Sequence, residues 1–169
     1  MANHYSNNFE GASGTTVLTA DPTHITPGGY AGGSLLVAAA SIKALSTTSD
    51  TMRMIHNLPS NARIWNMWAG ADDASAAGAF DVGVHETEKN GGAVVDADRF
   101  ATALAKNVNV EIFNEATAPL KSSDRGKFLW QLIGLTSDPQ KQYDITCTPS
   151  TTFTTTAIGI TLVVNYTLG

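Results

Sequence analysis

The stretch "TAIGITLVVNYTL", residues 156–168, decides the fold. Its even positions Ile158, Ile160, Leu162, Val164, Tyr166 and Leu168 are apolar, while Ala157, Gly159, Thr161, Asn165 and Thr167 are small or polar. A period of two is the signature of a β-strand with one face in a core, because successive side chains on a strand point to opposite sides. The same rhythm recurs upstream. "QYDITCT" (142–148) sets Tyr143, Ile145 and Cys147 against Asp144, Thr146 and Thr148. "TMRMIHN" (51–57) sets Met52, Met54 and His56 against Arg53, Ile55 and Asn57, and "ARIWNMWAG" (62–70) follows after the Leu58-Pro59 break. Threonine and β-branched residues are abundant, as strands prefer. Such short strands, punctuated by Gly, Pro and Asn from "SLLVAAASIKAL" (34–45) onward, predict an all-β, antiparallel β-sandwich of jelly-roll-like form. Two segments break the rhythm. "DADRFATALA" (96–105) spaces Phe100 and Leu104 four apart, and "DRGKFLWQLIG" (124–134) spaces Phe128 and Leu132 likewise, so both are expected as short helices, the second closed by Gly134.

The chain has 169 residues, room for one core and an arm. It is 43% hydrophobic but only 15% charged, with a net charge of −5, a surface poorer in charge than a monomer normally carries. Ten basic residues, nowhere densely clustered, against fifteen acidic ones argue against nucleic acid as a partner, since that affinity depends on neutralising several phosphates together. "MANHYSNNFEG" (1–11) is no secretory signal, and the longest apolar run, "LLVAAA" (35–40), is too short to cross a bilayer. Neither membrane association nor export through a signal is expected; synthesis in a cytoplasm is. One cysteine, Cys147, precludes an internal disulfide.

Residues 1–33 contain no Lys or Arg and are dominated by Gly, Ser, Thr and Asn, with joints at "EGASG", "PGG" and "AGG". A core cannot be built from them. They are expected to be an extended N-terminal arm ahead of a domain at 34–169. Two readings stay open: a plain tail, or an arm whose spaced anchors Tyr5, Phe9, Val17, Leu18, Ile25 and Tyr30 dock on another subunit.

The densest chemistry lies in "AFDVGVHETEKNGGAVVDADRFATAL" (79–104). Strand periodicity sends Phe80, Val82 and Val84 inward and Asp81, Gly83 and His85 outward, leaving His85 solvated. Asp81 and His85 are then about 13 Å apart along the strand and cannot share an ion. "NGG" (90–92) supplies the positive φ of a chain reversal, and Asp96 is expected to cap a following helix through the backbone N–H of Asp98 or Arg99. No metal, cofactor or catalytic site is expected. Cys147 reads as a buried thiol, His56 as a core or interface histidine, and Asp72-Asp73 as part of a solvated loop; no serine elbow or His-Glu helix motif occurs. Trp65 and Trp68 are three apart, which on a regular strand puts them on opposite sides, one toward the core and one available to a partner.

The phrases "LPSNARIWNMW" (58–68), "FDVGVHETEKNGGAVVDADRFATAL" (80–104), "WQLIGLTSDPQKQYDITCT" (130–148) and "GITLVVNYTLG" (159–169) resemble pieces of decoration or cement proteins of tailed bacteriophages. The resemblance excludes the arm. It implies a non-enzymatic structural protein on the virion exterior, made in the host cytoplasm. Its implied partners are the major capsid protein and further copies of itself, as a dimer or trimer. The rival expectation is a tail or receptor-binding component with a carbohydrate-binding sandwich; a small hydrolase resting on His85, His56 or Cys147 is weaker.

Overall fold

A computed structural model describes the protein over residues 34–44, 51–71, 78–105, 109–114, 119–151 and 158–169. Eight strands are formed there: β1 (Leu36–Ala44), β2 (Met52–Pro59), β3 (Ala62–Ala71), β4 (Ala79–Glu86), β5 (Val94–Ala105), β6 (Asn109–Glu111), β7 (Gln142–Pro149) and β8 (Ile158–Leu168). Pairing is nested. β1 joins β8, β2 joins β7, β3 joins β6 and β4 joins β5, all antiparallel, so the chain is one long ribbon doubled back at the turn between β4 and β5. The ribbon is then rolled, so that β8 also pairs with β3 and β7 with β4. Two four-stranded sheets result, in the orders β1-β8-β3-β6 and β2-β7-β4-β5. This is the jelly-roll form of the all-β sandwich expected from the alternating stretches.

The period-two reading of β8 holds: Ile160, Leu162 and Val164 are fully buried, and Tyr166 packs partly against them. Leu168, at the end of the strand, is exposed. From the facing sheet, Phe80, Val82 and Val84 of β4 and Tyr143, Ile145 and Cys147 of β7 enter the same core, as expected.

"DADRFATALA" is not a helix but most of β5. Its four-residue apolar spacing comes from bulges. Between the Val84–Asp96 and Val82–Ala101 pairs, β4 advances two residues and β5 five; between Val82–Ala101 and Phe80–Leu104, β4 again advances two and β5 three. The extra residues displace the inward positions, so Phe100, Ala101 and Leu104 are all buried on a strand. The second helix is present but short: α1 spans Leu129–Leu132, burying Leu129 and Leu132, with Gly134 at positive φ beyond it. The "NGG" turn also forms, with Gly91 and Gly92 at φ 100° and 68°, and Glu86 N–H donating to the Ala93 carbonyl.

Candidate functional site

The outer face of the β2-β7-β4-β5 sheet carries a buried polar network. Asp144 Oδ2 accepts from Arg53 Nη1 at 2.7 Å, and Asp144 Oδ1 accepts the N–H of Asn57 at 2.9 Å. Asn57 has φ 56°, so this bond holds a bulge that β2 needs to stay in register with β7. Arg53 also donates to the Glu86 carbonyl at 2.8 Å and the Gly92 carbonyl at 3.1 Å. One guanidinium therefore ties together β2, β7, β4 and the turn that leads into β5. Asp144 is almost wholly buried, and its charge is compensated by these donors.

His85 lies beside this pair, opposite Asp144 across the β4–β7 ladder, with Nδ1 3.0 Å from Thr146 Oγ1. It points outward from the core as expected, yet it is not solvated: only 5% of it is exposed. The bulged part of β5 folds over Gly83 on the same strand. At Gly83 the Ala97 and Asp96 carbonyls sit where a Cβ would project, so only glycine fits beneath them. Burial, with Arg53 second, holds the His85 pKa below the ordinary imidazole value.

The acidic groups of residues 79–104 are engaged in this irregular architecture. Asp81 Oδ1 accepts the N–H of Ala103 at 2.7 Å, fixing a residue at φ 51°. Asp96 accepts the N–H of Asp98 at 3.4 Å, the partner expected of it, but as a turn inside a bulged strand instead of a helix cap. Burial and the adjoining Asp98 carboxyl raise the Asp96 pKa. Asp98 accepts from Thr102 Oγ1, Glu86 pairs with Lys141 at 2.8 Å, and Glu88 lies 4.0 Å from Arg53. Among the described residues no three His, Cys, Asp or Glu side chains converge as a metal site.

His56 is exposed, which overturns the core half of its expectation. The β2 bulge turns it outward to solvent, away from the Met52/Met54 side, with Nδ1 3.6 Å from Asp144 Oδ2. With Arg53, Asn57, Glu88 and Lys89 it borders a shallow cavity of about 260 Å³. The Asp144 oxygens there are already bonded to Arg53 and Asn57. Cys147 is buried, and its thiol pKa is pushed up to about 12, which removes it as a nucleophile at neutral pH.

The outer face of the other sheet divides in two. At one end a segment folds over it: Gly126 N–H donates to the Ile64 carbonyl at 2.7 Å, Arg63 lies 3.9 Å over the Phe128 ring, and Phe128 stacks on Trp130. Trp65 belongs to this covered end, with Nε1 donating to Thr167 Oγ1 at 3.1 Å and Gly126 against its ring. A register shift between Ile64 and Asn66 places Trp65 on the outer face, the same side as Trp68, instead of the opposite side expected of a regular strand. Trp68, by contrast, is 41% exposed. It heads the open end, a cleft of about 390 Å³ floored by Gly70 and Gly159 and edged by Asn109, Thr161 and Val163. Beside it Val37 and Ala39 of β1 continue the surface, opposite Asn165 and Val163. Tyr5, Phe9, Val17, Leu18, Ile25 and Tyr30, like Asp72 and Asp73, lie outside the described residues.

The sequence reading missed the Arg53–Asp144 pair. The signal was present: "TMRMIHN" and "QYDITCT" each carry one charge, of opposite sign, in mid-strand among residues that must be buried.

No protein-family model matches the chain, and no curated protein does. Solved structures do. A chain of the capsid asymmetric unit of cyanophage Pam1 matches at 19% identity and a TM-score of 0.53, over 85% of this chain and 91% of that one. A chain of the capsid of Ralstonia phage GP4 matches at 16% identity and a TM-score of 0.58, over 86% and 91%. The fold is thus shared with chains found in phage capsids, over most of the length of both partners.

Proposed function

We propose that the chain is a structural virion protein of a tailed bacteriophage. In this reading it binds the outside of the head and cements adjacent major capsid protein subunits, with no chemistry performed. The observation that carries it is the match of 85% and 86% of this chain to chains of two phage capsids, over 91% of each of those chains. The polar groups fit the same reading, since they are spent on holding the sandwich together. Packing a genome loads the shell from within. A cement subunit opposes that load by burying apolar surface across seams, at roughly 25 cal/mol per Å² before the costs of association. Repetition over many equivalent sites multiplies the effect. The core docks on capsid protein, and residues 1–33 extend across a neighbouring subunit. Mixing the purified chain with undecorated heads and imaging them tests the role: regular added density on the outer surface is expected, and bare heads would refute it. Deleting residues 2–30 should lower occupancy; unchanged binding would remove the arm's part.

A receptor-binding role with affinity for neutral glycans is the second reading, favoured by the exposed Trp68 beside Asn109 and Thr161. It requires glycan binding that disappears in Trp68→Ala.

A further inference from the structure

Sheet edges invite strand addition, and proteins usually blunt them with bulges, prolines, charges or brevity. Among the described strands, three of the four sheet edges are blunted. β2 carries two register shifts and ends at Pro59; β5 is bulged and bears Asp96, Asp98 and Arg99; β6 has three residues. β1 has none of these protections. It is nine residues, "LVAAASIKA", paired with β8 without a single register shift, and its one charge is Lys43. Among the described residues it pairs with β8 alone.

The face beside this edge is equally unguarded. Val37 is 63% exposed and Leu35 61%. The polar side chains nearby bond sideways to each other, Asn165 to Asn66 at 2.8 Å and Thr161 to Ser41 at 3.1 Å, so that the strip from Val37 through Ala39 and Val163 to Trp68 offers apolar surface and no charge.

We propose that β1 and this strip receive residues 1–33 of a second copy of the chain. That segment joins the sandwich at Ser34, next to β1, and its 33 residues reach roughly 110 Å when extended, enough to leave its own domain and cross another. Its composition suits the site: no Lys or Arg, and in "TTVLTA" (15–20) a run of strand-forming residues with two apolar anchors, Val17 and Leu18. An extended segment added at an edge gains main-chain hydrogen bonds while alternate side chains settle on the face. The reach of the segment lets it serve another copy, and the isotope mixture below separates that occupant from the chain's own residues 1–33. The inference rests on the capsid reading only in that the head brings copies together.

The test uses the full chain with a benzophenone amino acid at position 37, as an equal mixture of ¹⁵N-labelled and unlabelled protein. The mixture is irradiated in concentrated solution and on undecorated heads, then analysed by mass spectrometry. Mixed-isotope peptides joining position 37 to residues 1–33 are expected in at least one setting. With the photoreactive group moved to position 39, Val37→Asp should lower their yield about tenfold, since the incoming segment would bury an unpaired carboxylate. Single-isotope products alone, attachment to the sandwich of a second copy or to capsid protein, or no attachment in either setting would each overturn the proposal. Normal decoration of heads without mixed peptides would sink this inference and leave the virion role standing; mixed peptides in solution with bare heads would do the reverse.

Discussion

The outer faces of the two sheets solve the same problem in opposite ways. Each sheet turns one side to the core and must do something with the other. On the β2-β7-β4-β5 sheet that side is polar, and the chain covers much of it itself: bulged β5 lies over Gly83, and Arg53, Asp144 and His85 make internal bonds. On the β1-β8-β3-β6 sheet the covering stops at Trp65 and Gly126, and beyond it Trp68, Val163 and Val37 meet solvent. The difference teaches where stability and association are divided. One face is wired to hold the fold, and the other, open at Trp68 and Val37, is the one proposed to receive a partner.

Substitutions can break or sharpen that division. The largest effect is expected from Asp144→Ala, which strands Arg53 with most of its side chain covered and removes the acceptor of the Asn57 N–H. A loss of about 3 kcal/mol in denaturant unfolding is expected, as for other broken buried pairs. A loss below about 0.5 kcal/mol, the range of ordinary surface changes, would mean the network is ornamental. Next comes Gly83→Ala, whose added methyl must push the Asp96–Ala97 backbone off the face; a loss of about 1–3 kcal/mol is expected. It should come with faster hydrogen exchange in β5, and protection equal to the parent's would contradict the roofing role.

A smaller effect attaches to His85. Because burial and Arg53 hold its pKa below 6.5, the unfolded chain takes up this proton at higher pH than the folded one. Its contribution is therefore fully present above pH 6.5, and stability declines as pH falls through 6.5 toward the folded value. Thermal melts from pH 7.5 to 5.5 should show this decline in the parent and a flatter profile in His85→Gln; parallel profiles would refute it. The smallest effects on stability belong to the open face. Val37→Asp and Trp68→Ala should each shift unfolding by less than about 0.5 kcal/mol, yet both should weaken association. A large loss of stability with assembly unaltered would erase the contrast.

The sandwich was legible because β7 and the start of β4 alternate strictly and β8 departs from alternation only at Val163, and alternation is what one buried face imposes. Reading failed wherever a bulge entered. Extra residues in β5 turned a period of two into an apparent period of four and suggested a helix around Phe100 and Leu104; shifts in β2 and β3 moved His56 to solvent and brought Trp65 round to the side of Trp68. Bulges are set by tertiary partners, here the Asp81 and Asp144 carboxylates accepting N–H bonds from Ala103 and Asn57, and no local pattern announces them. His85 was assigned its direction correctly and its environment wrongly, because alternation tells which way a side chain points and not what lies over it. Cys147 and the Gly91-Gly92 reversal depended only on neighbours in sequence and were read as they are.

The nested ribbon has a consequence for biosynthesis. Leu36 pairs with Tyr166, so β1 leaves the ribosome well ahead of its partner β8, while β4 and β5 are neighbours across a short turn. Closure across so long a separation is entropically slow, and zippering is expected to begin at the hairpin and reach β1 at the end. Until β8 has followed, the nascent polypeptide therefore carries its least guarded strand without the partner it has in the folded sheet. Over that interval the bare strand is open to pairing with the wrong edge, so slow translation between β1 and β8 is expected to favour aggregation.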